Sequence, residues 1–323
     1  MNTLVAGGAG FLGSHLCKAF LERGDTVICV DNLVTGSPGN VETLAVDSRF
    51  HLVIHNIVEP LGKSEELQIL LRSFPLHRIC NFASPASPKA YQRLAVETLM
   101  VGSVGLKNLL DLAVETGARI LQASTSEVYG DPEVHPQPES YWGHVNPNGP
   151  RSMYDESKRF AEALCAVYVA KYGVDLRTAR IFNTYGPKMS PDDGRVVSTF
   201  ICQALRSAPL TIFGDGTQTR SFCYVSDQVR GQLALLESDL TGPVNLGNQD
   251  EFTMLELAEL VLELTGSSST ITSLPLPEDD PKQRRPDGTR ASMELAWTPE
   301  IGLRAGLSRT IDWYRSSGFP LEP

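Results

Sequence analysis

The sequence predicts an α/β fold built on a doubly wound parallel sheet, with a smaller α/β lobe interleaved into its second half. Three observations favour this fold. Short apolar runs alternate with helical periods through the first half of the chain. A glycine-rich turn joins the first run to the first helix, and an aspartate ends the second run. With 323 residues the chain can bury a large core, and we expect two unequal lobes.

The glycine-rich turn covers residues 7–13, after a predicted strand over 3–6 and before a predicted helix over 11–23. It satisfies both G-x-x-G-x-x-G and G-x-G-x-x-G, whose glycines let the backbone approach a pyrophosphate at the helix N-terminus. The next strand, over 26–30, is followed by Asp31, a carboxylate that can bind a ribose and would repel a 2′-phosphate. This order predicts a Rossmann-type site for NAD rather than NADP. The alternative is a glycine-rich turn that binds nothing.

The alternation continues with strands over 50–54, 78–82 and 119–123 and with helices over 64–73 and 93–115. Ligands of such sheets lie outside the carboxyl ends of the strands. The residues that follow the third and fourth strands at that edge are Asn56, Ile57, Phe82, Ala83 and Ser84. They are candidates to flank the adenine and the middle of the cofactor, and loop filler is the equal alternative.

Thr125, Ser126 and Glu127 follow the fifth strand, so they stand where a substrate would lie. Tyr154 and Lys158 are one turn apart on a predicted helix and share a face. The ammonium can then lower the pKa of the phenol, which makes Tyr154 a candidate base near neutral pH. For this spacing alone, a solvated helix face is the alternative.

The loop over 131–150 is rich in proline and long for a compact domain. Because it contains Tyr141 and Trp142, it is too aromatic for a disordered linker. We expect this loop to form a lid or wall of the site, with His135 and His144 structural rather than catalytic.

The second half of the chain is predicted to supply the substrate lobe and to return once to the sheet. Its predicted strands cover 174–181, 210–213 and 243–246, and its predicted helices cover 196–206, 225–237, 253–265 and 303–316. We therefore expect an NAD-binding domain over 1–180, with a return segment at about 221–245. The substrate-binding lobe is expected over 181–323.

Composition excludes several classes of partner. The net charge of −10 leaves no basic footprint for nucleic acid or an anionic membrane. The six cysteines lie without C-x-x-C or Cys/His ligand spacing, which argues against a metal site and against a disulfide framework. The chain shows no leader pattern and no apolar run of the length that spans a membrane. We expect a cytoplasmic protein.

Together these motifs resemble the extended short-chain dehydrogenase/reductase family of nucleotide-sugar enzymes. Within it, the resemblance is to the UDP-glucuronate decarboxylases and spans nearly the whole chain. The stretches that carry it are 83–88, 124–136, 141–147, 179–187, 194–197, 214–220 and 279–281. The sequence departs from the family pattern at Met100 and Gly102, where Lys and Asn are usual, and at 37–39, where a more basic stretch is usual.

The resemblance implies a set of site residues. It assigns catalysis to Thr125, Glu127, Tyr154 and Lys158. It assigns the cofactor to Gly7, Gly10, Phe11, Leu12, Gly13, Asp31, Asn32, Thr35, Gly36, Asn56, Ile57, Phe82, Ala83, Ser84, Tyr154 and Lys158. It assigns the substrate to Ser84, Ser126, Glu127, Asn183, Arg195, Val196, Thr211, Phe213, Gln218, Arg220 and Arg284, and it implies no metal. A solvated basic turn is the alternative for Arg284, and a core aromatic is the alternative for Phe213.

The implied reaction oxidises C4′ of UDP-glucuronate, loses carbon dioxide from the resulting β-keto acid, and returns the hydride to give UDP-xylose. Tyr154 acts as the base, Thr125 binds the same oxygen, and Glu127 orients the sugar and assists the proton steps. The related 4,6-dehydratases carry an aspartate as general acid at the position of Ser126, and a hydroxyl cannot replace it. A 4,6-dehydratase or 4-epimerase remains an alternative, and a non-catalytic NAD-binding sensor is a remote one.

The two long predicted helices, over 93–115 and 152–172, carry apolar residues on more than one face. The residues behind this prediction are Leu106, Leu109, Leu110, Ala161, Leu164, Val167 and Tyr168. One face must cover the sheet, and the surplus predicts a homodimer through a four-helix bundle, as is common in this family. Core packing alone is the alternative.

Overall fold

The computed structural model describes residues 1–276 and 283–317. Its strands are β1 (Asn2–Ala6), β2 (Thr26–Asp31), β3 (Phe50–Ile54), β4 (Arg78–Asn81), β5 (Arg119–Thr125), β6 (Leu176–Ile181), β7 (Thr184–Tyr185), β8 (Leu210–Phe213), β9 (Thr219–Ser221), β10 (Cys223–Tyr224), β11 (Pro243–Leu246), β12 (Glu251–Thr253), β13 (Ile271–Leu274) and β14 (Gln283–Arg284). Its α-helices are α1 (Phe11–Glu22), α2 (Glu65–Ser73), α3 (Pro88–Arg93), α4 (Ala95–Met100), α5 (Leu106–Thr116), α6 (Ser152–Tyr172), α7 (Val196–Leu205), α8 (Val225–Glu237), α9 (Met254–Thr265), α10 (Thr289–Leu295) and α11 (Leu303–Ser316).

Seven parallel strands form the main sheet in the order β11-β6-β5-β4-β1-β2-β3. This confirms the predicted Rossmann-type doubly wound sheet. The order reverses between β1 and β4, so their carboxyl ends diverge into the crevice where such sheets bind ligands. The strand β11 comes from the second half of the chain, so the chain does return to the sheet there.

Apolar side chains cover both faces of the sheet. On one face α1 packs beside α8, and their side chains Leu16, Phe20 and Leu235 are fully buried in one core. On the other face Leu67 and Leu109 belong to a second core beneath α2 and α5. The strands are therefore buried on both faces, which explains why they read as continuous apolar runs.

The predicted helix over 93–115 differs from the observed one. The chain is already helical from Pro88, where the Ser87 hydroxyl accepts a hydrogen bond from the first turn, and the helix breaks at Leu94. A π-helical turn, Val101–Gly105, then separates α4 from α5. At Gly102 a Cβ would lie 3.0 Å from the Ser157 carbonyl oxygen, so the glycine permits the close approach of this turn to α6.

The second lobe contains short strands that the sequence did not predict. Together with β8, which matches the predicted strand over 210–213, they form a three-stranded sheet in the order β12-β9-β14 and the pairs β10-β7 and β13-β8. The stretch 279–281 lies outside the described residues. Among the residues that the structure describes, no helix is long and apolar enough to cross a membrane.

Candidate active site

A cavity of about 1700 Å³ opens at the carboxyl edge of the main sheet, between the sheet and the second lobe. Every residue that the sequence assigned to the cofactor, the substrate or catalysis lines this cavity. The topology explains this, because the carboxyl ends of parallel strands meet at one edge and the second lobe covers that edge.

The glycine-rich turn forms a cradle that larger residues would fill. Gly7 has a φ of +74°, and a Cβ there would lie 2.6 Å from the Ala83 backbone nitrogen. A Cβ at Gly13 would collide with the Gly7 carbonyl oxygen. The helix α1 begins at Phe11, so its free N–H groups face the turn, as a pyrophosphate site requires.

Asp31 ends β2 at the rim of this cradle. Its two carboxylate oxygens accept hydrogen bonds from the backbone N–H groups of Ala9 (2.9 Å) and Leu33 (2.8 Å). Burial raises the pKa of Asp31, and the backbone hydrogen bonds oppose that rise. Each carboxylate oxygen can accept a second hydrogen bond, so ribose hydroxyls can still bind. The cradle and the carboxylate together fit NAD.

Tyr154 lies in the first turn of α6, with its ring stacked on Tyr91 at a centroid distance of 5.0 Å. Its hydroxyl is hydrogen-bonded to the Thr125 side chain. The Lys158 ammonium lies 5.7 Å from the centre of the Tyr154 ring and donates a 3.0 Å hydrogen bond to the Ala123 carbonyl oxygen. The structure thus brings the predicted catalytic tyrosine, threonine and lysine together.

The expected effect of Lys158 on the phenol is not present in the protein alone. Burial raises the pKa of Tyr154 to about 12, and the charge of Glu127 adds to that rise. Burial also lowers the pKa of Lys158 to about 8. The prediction of a lowered tyrosine pKa is therefore wrong for the protein groups by themselves, because burial and the Glu127 charge disfavour the phenolate.

Glu127 is held between two arginines. Its carboxylate accepts a 2.5 Å hydrogen bond from Arg151 and paired bonds of 2.6 and 3.0 Å from Arg284. Burial would raise the pKa of Glu127, but the Arg284 and Arg151 charges outweigh it and hold that pKa below its usual value. Glu127 is therefore a carboxylate near neutral pH. The solvated-turn alternative for Arg284 is excluded, because this side chain is buried.

The sequence interpretation missed two residues around Glu127. Arg151, which directly precedes α6, also lies over the Tyr91 ring at 6.0 Å. Asp155 is buried with one carboxylate oxygen unpaired, and burial together with Glu127 raises its pKa to about 7. The only sequence signal for Arg151 and Asp155 was their nearness to Tyr154.

The three arginines predicted to bind the substrate reach the cavity from separate elements. Arg195 precedes α7 and forms a two-point ion pair with Asp193, at 2.5 and 2.8 Å. The buried Arg220, on β9, donates a 2.8 Å hydrogen bond to the Thr219 carbonyl oxygen. Arg284 follows on β14, which pairs with β9 in register with Arg220. Asp193 therefore fixes the Arg195 guanidinium group, and Glu127 fixes that of Arg284.

At the far end of the cavity, Phe213 is 44% exposed and is therefore not a core aromatic. Gln218 donates a 2.7 Å hydrogen bond to the Phe213 carbonyl oxygen. The side chain of Gln203 bonds both the backbone N–H and the hydroxyl of Thr211. An aromatic face between polar side chains suits a planar base.

Comparisons with known proteins show which family this chain belongs to. Residues 3–247 match the NAD dependent epimerase/dehydratase family. The chain is 51% identical over 316 residues to UDP-glucuronic acid decarboxylase 1 of Arabidopsis thaliana, covering 98% of this chain and 70% of that protein. It is 49% identical over 311 residues to UDP-glucuronic acid decarboxylase 1 of Danio rerio, covering 96% of this chain and 72% of that protein.

Among solved structures, UDP-glucuronic acid 4-epimerase from Bacillus cereus, in complex with UDP-glucuronic acid and NAD, is similar with a TM-score of 0.86. The two chains are 30% identical, and the match covers 98% of this chain and 100% of that one. The fold and site define an NAD-binding enzyme of the Rossmann type. The chain belongs to the NAD dependent epimerase/dehydratase family, and the predicted family and cofactor are confirmed.

Proposed function

We propose that this chain decarboxylates UDP-glucuronate to UDP-xylose, with uptake of one proton, release of carbon dioxide and no net redox change. The relatives that match nearly the whole chain at about 50% identity are UDP-glucuronic acid decarboxylases. In the site, one observation carries the proposal. Ser126 is buried beside a Glu127 carboxylate that two arginines hold ionised, so this position lacks the general acid of a dehydratase.

Bound NAD supplies the hydride acceptor at C4′ and later the hydride donor. Tyr154 accepts the proton of the 4′-hydroxyl, and Thr125 fixes the phenol by the hydrogen bond between them. The ketone formed at C4′ is β to the carboxylate, so the electrons left by carbon dioxide are held as an enolate. Lys158, anchored on the Ala123 carbonyl oxygen, adds a positive charge beside the phenol. Glu127 is ionised, so it orients the sugar and assists protonation at C5′ by orienting a water molecule that delivers the proton, not as the proton donor itself.

The arginines bind the anionic groups of the substrate in this proposal. Guanidinium groups match phosphate and carboxylate oxygens with paired hydrogen bonds. Arg195 and Arg220 are suited to the diphosphate, and Arg284 lies beside Glu127 at the sugar end. Phe213 is suited to stack on the uracil. The remaining assigned residues of the cofactor and substrate sets line the same cavity.

A 4-epimerase is the second candidate, because the similar Bacillus cereus enzyme is a UDP-glucuronic acid 4-epimerase. Both reactions begin with oxidation at C4′. They differ in whether carbon dioxide leaves before the hydride returns. A sensor that binds NAD without turnover is the remote third reading, and the assembled Thr125, Tyr154 and Lys158 count against it.

Purified protein incubated with UDP-glucuronate, followed by mass spectrometry and NMR of the product, tests the proposal. We expect UDP-xylose and one equivalent of carbon dioxide. UDP-galacturonate would identify the epimerase, and a 4-keto-6-deoxy product from UDP-glucose would identify the dehydratase. Tight NAD binding without conversion of any nucleotide sugar would identify the sensor.

We also propose that the NAD-binding domain covers 1–180 with the return segment at about 221–245, and that the substrate lobe covers 181–323. Strand β11 in the main sheet and the packing of α8 beside α1 support the return segment. The protein is proposed to be cytoplasmic. Its six cysteines are unpaired, which suits a reducing compartment, and cell fractionation tests this location.

The proposed homodimer rests on exposed apolar side chains of α4 and α6, which pack side by side. Most residues first considered for it, such as Leu106 and Ala161, are buried in the sheet core, so core packing explains them. Val96 (68% exposed), Phe160 (51%) and Val167 (54%) remain uncovered. A four-helix bundle with a second copy would bury them.

Light scattering at micromolar concentration tests this assembly. We expect a dimer for the wild type and a monomer for Phe160→Glu, because a buried unpaired carboxylate is costly. Met293→Glu, at an 80% exposed apolar residue on α10, is the matched control and should leave the dimer intact. A monomeric wild type contradicts the bundle.

A further inference from the structure

Gln137, in the long loop over 131–150, is completely buried and makes hydrogen bonds with both its side chain and its backbone. Its side-chain oxygen accepts a 2.9 Å bond from the Arg285 N–H, and its own N–H donates a 2.9 Å bond to the Arg285 carbonyl oxygen. Its carbonyl oxygen accepts a 2.9 Å bond from the Asp287 N–H. Its side-chain NH₂ donates to the Val134 carbonyl oxygen at 2.8 Å. The loop therefore holds both backbone groups of the residue directly after Arg284.

A second buried amide closes this arrangement. The Asn245 side chain donates to the carbonyl oxygens of Gln137 (2.9 Å) and Asp287 (3.2 Å). Its oxygen accepts a 2.8 Å hydrogen bond from the Tyr129 hydroxyl. Tyr129 ends the 3₁₀ turn that carries Glu127. The same hydrogen-bond chain thus fixes the backbone on both sides of the ion pair between Glu127 and Arg284.

We propose that Gln137 is a positioning residue for Arg284, an inference that rests on the proposed function. A guanidinium on a short strand has many rotamers, and its catalytic value depends on where its backbone is held. Gln137 clamps the adjacent peptide, so the Arg284 guanidinium meets Glu127 at 2.6 and 3.0 Å. The long loop therefore acts in the reaction through a buried amide rather than through either of its histidines.

The test compares Gln137→Met, which keeps the length of the side chain but cannot accept the Arg285 hydrogen bond, with Gln249→Met. Gln249 is an exposed glutamine that accepts a 3.4 Å hydrogen bond from Gly288 in the same segment. We expect Gln137→Met to lower kcat/KM for UDP-glucuronate ~10- to 100-fold, because small misplacements of a binding group cost that much. The affinities for UDP and NAD should stay unchanged, as should all values for Gln249→Met.

A double-mutant cycle with Arg284→Lys separates positioning from general structure. If Gln137 acts through Arg284, Gln137→Met has less than a ~2-fold further effect on kcat/KM for UDP-glucuronate in that background. Equal losses in both backgrounds, or a parallel loss of UDP affinity, would overturn the proposal. Failure of the wild type to convert UDP-glucuronate overturns the proposed function instead. In that case the free energies of unfolding in urea of the wild type, the two single variants and the double variant decide whether the clamp exists, because a clamp makes the two losses non-additive.

Discussion

Replacing Ser126 with aspartate gives the sharpest test of how this site treats charge. Ser126 is 2% exposed and directly precedes Glu127 in the chain. Asp155, a buried carboxyl that also interacts with Glu127, is the comparison: burial and the Glu127 charge raise its pKa from 3.8 to about 7. At 1.36 kcal/mol per pKa unit, the ionised form of such a carboxylate is disfavoured by ~4 kcal/mol. We expect Ser126→Asp to lower the free energy of unfolding by about this much at pH values where the new carboxyl group is ionised.

The pH dependence gives the sign of the effect. A carboxyl with a raised folded-state pKa binds more protons in the folded than in the unfolded protein between pH ~4 and ~7. Relative to wild type, the variant should therefore lose stability as pH rises through that window and keep the full deficit at pH 8. Ser126→Asn is the control, because it has the same size and no charge, so its deficit should not change with pH.

Urea unfolding of the three proteins at pH 5 and pH 8 measures the deficit, and product analysis measures the chemistry. Ser126→Asp alone should not become an efficient dehydratase of UDP-glucose, because the arginine-lined cavity favours a carboxylate at C6′. The reasoning fails if the two variants have equal deficits at both pH values. It also fails if Ser126→Asp forms a 4-keto-6-deoxy sugar at a rate near that of wild-type decarboxylation.

Further predictions concern the groups around Glu127 and the phenol. Tyr154→Phe should abolish hydride transfer, so no 340 nm absorbance appears when UDP-glucuronate is added to the NAD-loaded protein; a normal signal would exclude Tyr154 as the base. Lys158→Ala should slow turnover and move the acid limb of the kcat profile to higher pH, and an unchanged profile contradicts the role of the ammonium. Arg151→Met should lower the free energy of unfolding by ~1–3 kcal/mol, because Glu127 keeps its paired bonds to Arg284. Glu127→Gln leaves the Arg151 and Arg284 guanidinium groups without their carboxylate and should lower the free energy of unfolding more, by ~3–5 kcal/mol. A larger loss for Arg151→Met than for Glu127→Gln in urea unfolding would refute the ion-pair argument.

Local patterns carried most of the fold prediction. The turn over 7–13 and Asp31 are each readable from a few adjacent residues, and the sheet then places them at one edge. The same holds for the spacing of Tyr154 and Lys158. The broken helix before α5 could not be predicted, because it depends on the close approach of Gly102 to Ser157 on another element.

Pairings between distant residues were beyond the sequence. Glu127 and Arg284 are separated by 157 positions, and nothing local marks either as the partner of the other. The pKa of Tyr154 was mispredicted for the same reason, since burial and the Glu127 charge come from tertiary packing. Residue types and spacing indicated which groups enter the site, whereas their charge balance needed the folded structure.

That charge balance bears on the proposed reaction. Arg284 and Arg151 already share one carboxylate, so a substrate carboxylate that enters adds a second anion to a preformed pair of cations. When carbon dioxide leaves, that second charge passes to the enolate, and it disappears once C5′ is protonated, while Glu127 remains as the counterion. The guanidinium groups of Arg284 and Arg151 then still have a carboxylate partner and stay in position. The product should therefore bind at this end of the cavity more weakly than the substrate. Glu127 keeps the two arginines in position for the next turnover.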